Sequence, residues 1–127
     1  MQPIVYIAGP YRGPDREAIA ANIEAARRLA IHACTLGWYP ICPHLNTAHM
    51  ETDLPHLGDG FWLRGTMELM ERSDAVVLVE GWEHSAGTRG EIARADELRI
   101  PIFRSADALP TAVGFIDYLF AKEGARA

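Results

Sequence analysis

The sequence predicts an α/β fold in which a parallel sheet of four to five strands carries helices on both faces. Short apolar runs alternate along its 127 residues with longer stretches in which apolar side chains recur every three or four positions. The short runs lack strict polar alternation, which is typical of parallel strands buried on both faces. Because crossovers between parallel strands are right-handed, the flavodoxin-like, doubly wound strand order 2-1-3-4 fits this succession best.

The first half of the chain gives a strand, a helix and an edge strand. The run PIVYIA ends at Gly9 and Pro10, and a helix is predicted to begin near Pro14 and to stop at Gly37. Pro40 indicates that the second strand, 38–42, lies at an edge, because proline donates no ladder hydrogen bond. Residues 43–60 show no period and predict a long loop, a length uncommon unless the loop binds or covers a ligand.

The second half alternates between the two element types. Helices are predicted at 61–72, 87–98 and 109–122, and strands at 75–79 and 100–103. The length predicts one domain spanning residues 1–127. Asp74, which precedes the third strand at the amino edge of the sheet, is interpreted as structural.

Composition and charge exclude several classes of protein. The net charge of −5 gives no basic surface for a nucleic acid polymer. No apolar run approaches the ~20 residues of a membrane span, and no leader precedes the first strand, so we expect a cytoplasmic protein without membrane contact. Cys34 and Cys42 have neither metal-binding nor redox spacing and are expected to be reduced thiols.

Three polar loops follow the first three strands, and parallel strands bring them to one edge of the sheet. In the third loop, Ser85 or Gly87 is placed to cap a helix whose free N–H groups favour an anion. Glu91 lies one turn further on. A glutamate there commonly only complements the helix dipole. Gly87 and Gly90, each costing about 1 kcal/mol in a helix, favour instead a ligand that approaches Glu91 closely.

The segments YIAGPYRG, PHLNT and SDAVVLVEGWEHSAGTRGEIARA together resemble the nucleoside 2-deoxyribosyltransferase-like superfamily. This superfamily includes nucleoside 2-deoxyribosyltransferases and nucleoside 5′-monophosphate N-glycosidases. The resemblance extends from Ile4 to about Phe103 and is closest to short bacterial and phage members.

The resemblance implies an enzyme that works without a cofactor or a metal ion. Glu91 matches the family's nucleophile, which attacks C1′ of the sugar and expels the base as a covalent glycosyl–enzyme forms. Tyr6 matches a tyrosine that hydrogen-bonds the nucleophile and keeps it ionised, although a core tyrosine would have the same sequence signature. Attack of water on this intermediate gives hydrolysis, which is the interpretation that we favour, whereas attack of a second base gives transfer.

The resemblance also implies a site for a 5′-phosphate. In the monophosphate N-glycosidases, the first loop and a serine ahead of the nucleophile hold this phosphate. The matching residues here are Gly9, Arg12 and Gly13 in the loop and Ser85 for the serine. The alternative interpretation of Arg12 is a surface charge, and its position in the loop favours the phosphate.

Other residues of the same loops are predicted to contact substrate: Tyr11, Gly87 and Thr88. His44 and Asn46 in the second loop are suited to read a base edge or a ribose hydroxyl. A metal site including His44 and His49 is disfavoured, because their spacing fits no helical zinc motif. Trp62 and Trp82 could stack on a base or pack in the core or a subunit interface.

Two aspartates of the deoxyribosyltransferase pattern are missing, and Ser85 stands in place of the one that lies six residues before the nucleophile. The aspartate thought to protonate the leaving base would lie near Gly65 and Thr66, and the nearest carboxylates are Glu68 and Asp59. A non-catalytic nucleotide-binding or sensor module is therefore a further alternative. The resemblance also implies a homodimer or homotetramer, with a nucleoside or nucleotide as the small-molecule substrate.

Overall fold

The computed structural model describes residues 1–126, with side chains described through residue 123. Four strands in this part of the chain form one parallel sheet in the order β2-β1-β3-β4. Their bounds are Ile4–Ala8 (β1), Tyr39–Ile41 (β2), Ala75–Leu78 (β3) and Ile102–Phe103 (β4). The flavodoxin-like, doubly wound α/β fold is thus confirmed, and β2 lies at an edge as its proline indicates.

Helices connect the strands and cover the sheet. They are α1 (Arg16–Thr35), α2 (Pro43–Asn46), α3 (Met50–Asp53), α4 (Asp59–Glu71), α5 (Ala86–Glu97) and α6 (Ala112–Arg126). A 3-10 turn, Trp82–His84, precedes α5. The segment predicted as one long loop contains α2 and α3, each a single helical turn. Pro43 begins α2 at the position where a proline ring fits a helix, and His49 precedes α3 with a φ of 61°.

The central strand β1 sends alternate side chains to two separate cores. Val5 and Ile7 pack with residues of α1 and α6 on one face. Tyr6 and Ala8 lie on the other face, in the cluster that includes Ile92 of α5. This alternation places the Tyr6 side chain on the face of the sheet that α5 covers.

The ends of α1 fix the loops on either side of it. Asp15 caps the helix, its side chain accepting a hydrogen bond from the N–H of Ala18 at 2.8 Å. Gly37, with a φ of 92°, turns the chain toward β2 in a conformation that glycine adopts readily. Within residues 1–126 the structure contains no helix that is both long and apolar enough to cross a membrane.

Candidate active site

A cavity of about 430 Å³ opens at the carboxyl edge of the sheet. Its walls come from the loop after β1, the α2–α3 segment, α4, and the start of α5. Ligands of doubly wound sheets bind at this edge, so the cavity is the candidate functional site.

Glu91 lines the cavity from the second turn of α5. Burial raises the pKa of its carboxyl to about 7, although the Tyr6 hydroxyl acts in the opposite direction. Its Oε2 atom is fully buried and has no hydrogen-bond partner among the described residues. Glu91 is therefore a carboxyl with a perturbed pKa and no structural ion pair in the described chain, a combination that is common at functional sites.

Tyr6 lies beside Glu91 and is only 1% exposed. Burial raises its pKa first, and the neighbouring Glu91 carboxylate raises it further, whereas Thr66 lowers it. Tyr6 therefore remains a neutral phenol, able to donate its proton toward Glu91. Thr66 also lines the cavity.

Ser85 caps α5 and defines the end of the cavity nearest that helix. Its Oγ accepts hydrogen bonds from the N–H of Thr88 at 3.2 Å and from the Thr88 hydroxyl at 2.9 Å. Thr88 is 1% exposed, so its hydroxyl serves the cap. Because the cap satisfies the Thr88 N–H, the preceding N–H groups of Ala86 and Gly87 are the ones available to an anion.

The two glycines of α5 differ in their surroundings. Gly87 lines the cavity, and a Cβ there would lie 3.7 Å from Cδ2 of Leu63, an ordinary contact. A Cβ on Gly90 would meet no atom within 4 Å. The chain's own packing requires neither glycine, and only Gly87 leaves space for a ligand.

The glycines of the first loop serve the packing of the chain. A Cβ on Gly9 would lie 2.5 Å from the Cβ of Val79, and one on Gly13 would lie 2.6 Å from the Cβ of Ala18. Gly9 also lines the cavity, whereas Gly13 does not. Their close approaches are to the residue that follows β3 and to α1, which accounts for glycine at both positions without a ligand.

Arg12 lines the cavity and forms an exposed ion pair with Asp59 at the start of α4. The pair joins the first loop to the first residue of α4. Asn22 of α1 fixes the backbone of this loop, because its side-chain amide donates to the carbonyls of Tyr11 at 3.0 Å and Arg12 at 3.1 Å.

Tyr11 connects the first loop to α3. Its hydroxyl lies 3.0 Å from both carboxylate oxygens of Glu51 and accepts a hydrogen bond from the N–H of His49 at 2.8 Å. Tyr11 and Glu51 both line the cavity. Glu51 is thus a second carboxylate at the site, and the sequence interpretation did not include it.

His44 is buried against the first loop. Its Nε2–H donates to the carbonyls of Gly9 at 3.1 Å and Pro10 at 2.9 Å, and since carbonyls only accept, Nε2 carries the proton. Burial lowers the pKa of the ring. The other nitrogen, Nδ1, is buried without a partner among the described residues. His44 therefore holds the loop with one nitrogen and keeps a lone pair on the other.

The remaining candidates divide between the cavity and its surroundings. Asn46 is exposed and lines a neighbouring groove of about 380 Å³ between α2 and α4, not the cavity itself. Trp62 lines both spaces, and its Nε1–H is buried without a partner in the described part of the chain. Trp82 lies outside the cavity lining, under the guanidinium of Arg104 at 5.5 Å. Nowhere in residues 1–126 do three or more His, Cys, Asp or Glu side chains form a group that could hold a metal ion.

The fold is that of a doubly wound α/β protein with a cavity at the carboxyl edge of its sheet. Residues 3–105 match the family described as a domain of unknown function, DUF7768, and the chain belongs to that family. A search of curated proteins found no significant match.

Among solved structures, the protein is similar to the 2-deoxyribosyltransferase of the psychrotolerant bacterium Bacillus psychrosaccharolyticus. The two chains are 18% identical and align with a TM-score of 0.52 over 78% of this chain and 69% of the other. At that identity the match establishes a shared fold, in agreement with the resemblance found in the sequence.

Proposed function

We propose that this protein cleaves the N-glycosidic bond of a nucleoside 5′-monophosphate, or of a nucleoside, through a covalent glycosyl–Glu91 intermediate. One observation carries the proposal. Glu91 lines the cavity beside Tyr6, with a pKa raised to about 7 and with one carboxylate oxygen that has no partner in the described chain. Carboxylates perturbed in this way concentrate at catalytic sites.

The chemistry requires an ionised carboxylate close to the anomeric carbon. A Glu91 oxygen attacks C1′, the C1′–N bond breaks, and its electron pair moves to the base nitrogen, which takes up a proton. Water then attacks C1′, releases Glu91 and yields the free sugar or sugar phosphate. The water oxygen goes to C1′, and its lost proton balances the proton taken up by the base. Tyr6 favours ionisation by donating toward the carboxylate.

The end of the cavity at α5 suits a phosphate. The N–H groups of Ala86 and Gly87 begin the helix, and Arg12 lines the same cavity from the first loop. A phosphate bound there would exchange the Arg12–Asp59 ion pair for an Arg12–phosphate pair. Since that ion pair is exposed, little stabilisation is lost when it opens.

Base transfer is the second candidate function, favoured by the fold shared with a 2-deoxyribosyltransferase. It uses the same intermediate with a second base in place of water. Hydrolysis is preferred here because the cavity is open and Glu91 is partly exposed within it, which gives water access to the intermediate.

The test is incubation of the protein with a deoxynucleoside 5′-monophosphate, with and without a second free base, followed by chromatography. Hydrolysis predicts free base and sugar phosphate in both mixtures, and transfer predicts an exchanged nucleotide in the second. The Glu91→Gln variant should lose at least about 1,000-fold in rate, since the covalent route is removed. Ligand-induced thermal stabilisation without any base release would instead indicate a binding or sensor module.

A further inference from the structure

Glu51 is a carboxylate in the cavity that has no part in the proposed nucleophilic attack or in the proposed binding of the phosphate. It lies on α3, in the segment after β2, and Glu91 lies on α5. Its only hydrogen-bond partner in the described chain is the hydroxyl of Tyr11, which lies 3.0 Å from both of its oxygens.

The hydrogen bonds around Tyr11 fix what Glu51 can do. The Tyr11 oxygen accepts from the N–H of His49 at 2.8 Å, so its single proton points to Glu51. A carboxylate has about four lone-pair positions, and one phenol proton leaves most of them unused. Glu51 is therefore an oriented acceptor, suited to a ligand that supplies N–H or O–H donors.

The charges that line the cavity indicate which part of a bound nucleotide would lie next to Glu51. The start of α5 and Arg12 offer donors and positive charge to a phosphate, whereas a carboxylate repels one. With the sugar at Glu91 and the phosphate at α5, the base is the remaining part of the ligand that can approach α3. Bases differ in the groups that they present to an acceptor.

We propose that Glu51, held by Tyr11, is a specificity residue that selects bases carrying an exocyclic amino group. The amino groups of cytosine, adenine and guanine donate to a carboxylate. Uracil and thymine present a carbonyl acceptor where cytosine has its amino donor, and a carbonyl facing a carboxylate leaves both acceptors unpaired. This inference rests on the proposed function for the placement of the sugar and the phosphate.

The cleanest comparison uses deoxycytidine and deoxyuridine 5′-monophosphates, which differ at C4, an amino group in place of a carbonyl, and in the proton that uracil carries on the adjacent N3. We expect the wild-type protein to release cytosine with a kcat/KM about 10- to 100-fold above that for uracil, the range that one such base contact supplies. The Glu51→Gln variant, whose amide both donates and accepts, should reduce this ratio to within about threefold. Equal cleavage of both substrates by the wild type, or an equal loss of both rates in Glu51→Gln, would overturn the proposal.

Two further variants separate this inference from the proposed function and from a folding defect. Tyr11→Phe removes the anchor but leaves the Glu51 carboxylate, so both rates should fall while the preference for cytosine persists.

Titration of the two nucleotides into Glu91→Gln measures base selection without turnover. Tighter binding of the cytosine nucleotide, lost in Glu51→Gln/Glu91→Gln, supports the Glu51 inference even if the wild type releases no base and the proposed function fails. Base release without any preference overturns only the inference, and the absence of both binding and release overturns both.

Discussion

Tyr6 of β1 and Glu91 of α5 meet at the floor of the cavity, and each changes the pKa of the other. The Glu91 carboxylate adds to the effect of burial and raises the pKa of the Tyr6 phenol. The Tyr6 hydroxyl opposes the effect of burial on Glu91, whose pKa nevertheless reaches about 7. The proposed nucleophile is therefore only partly ionised at neutral pH, and its pKa depends on the neighbouring tyrosine.

The first prediction concerns the pH dependence of catalysis. Because attack requires the ionised carboxylate, kcat/KM should rise with pH and have its midpoint near the Glu91 pKa of about 7. Replacing Tyr6 by Phe removes the group that lowers this pKa, so the midpoint should move to higher pH. The measurement is kcat/KM from pH 5 to 9. Tyr39→Phe on the exposed edge strand is the matched control and should leave the profile in place. An unmoved midpoint in Tyr6→Phe would be inconsistent with this coupling.

The second prediction concerns folding stability. The Glu91 pKa is higher in the folded than in the unfolded chain, so its ionisation destabilises the fold as pH rises through the interval from about 4.5 to 7. Glu91→Gln cannot ionise and should gain up to about 3 kcal/mol over the wild type between pH 5 and pH 8. Denaturant unfolding at both pH values measures this gain. Glu80→Gln at an exposed position should show none, and a Glu91→Gln difference independent of pH would rule out a perturbed carboxyl.

The third prediction separates phosphate recognition from surface charge at Arg12. Arg12→Ala should raise KM for a nucleoside 5′-monophosphate and leave that of the parent nucleoside nearly unchanged. Asp59→Asn frees Arg12 from its ion pair and should lower KM for the monophosphate, since the phosphate no longer competes with Asp59. Both effects should weaken in high salt, because the groups are exposed. Arg28→Ala, on the exposed side of α1, serves as the control. If Arg12→Ala changes KM equally for the monophosphate and for the nucleoside, Arg12 does not recognise the phosphate and is a surface charge.

The fourth prediction uses the two glycines of α5 as a matched pair. Alanine at either Gly87 or Gly90 should raise stability by up to about 1 kcal/mol, because both positions are helical and neither added Cβ clashes. Only Gly87 borders the cavity, so Gly87→Ala should lower kcat/KM about tenfold by crowding the ligand while Gly90→Ala leaves it unchanged. Thermal unfolding and steady-state kinetics of both variants check this. Equal kinetics for the two would show that no ligand approaches Gly87.

The periodicity of the sequence predicted the strands and helices, the handedness of crossovers predicted the strand order, and the family resemblance singled out Tyr6 and Glu91. Alternation along β1 directs Tyr6 to one face, and Glu91 lies at a fixed distance from the start of α5. These relationships are local, or follow from the handedness of the crossovers. The structure places both residues in one cavity, and their catalytic roles remain predictions.

Contacts between distant parts of the chain could not be predicted in this way. Glu51 enters the cavity because Tyr11, forty residues earlier in the sequence, orients it, and its segment has no hydrophobic period to reveal its position. In the sequence Gly9 resembles a residue that admits an anion, but its missing Cβ is explained by the approach of Val79, which directly follows the neighbouring strand. Asp59 seemed a remote substitute for the missing aspartate, whereas the structure pairs it with Arg12.

Intact-mass spectrometry after rapid acid quenching of a turnover mixture can detect the proposed covalent intermediate on Glu91. With a deoxynucleoside 5′-monophosphate as substrate, the wild-type protein should gain the mass of one deoxyribosyl phosphate, and peptide mapping should place it on Glu91. The adduct should be absent from Glu91→Gln. Base release by Glu91→Gln at the wild-type rate, or an adduct mapped to any other residue, would contradict the account.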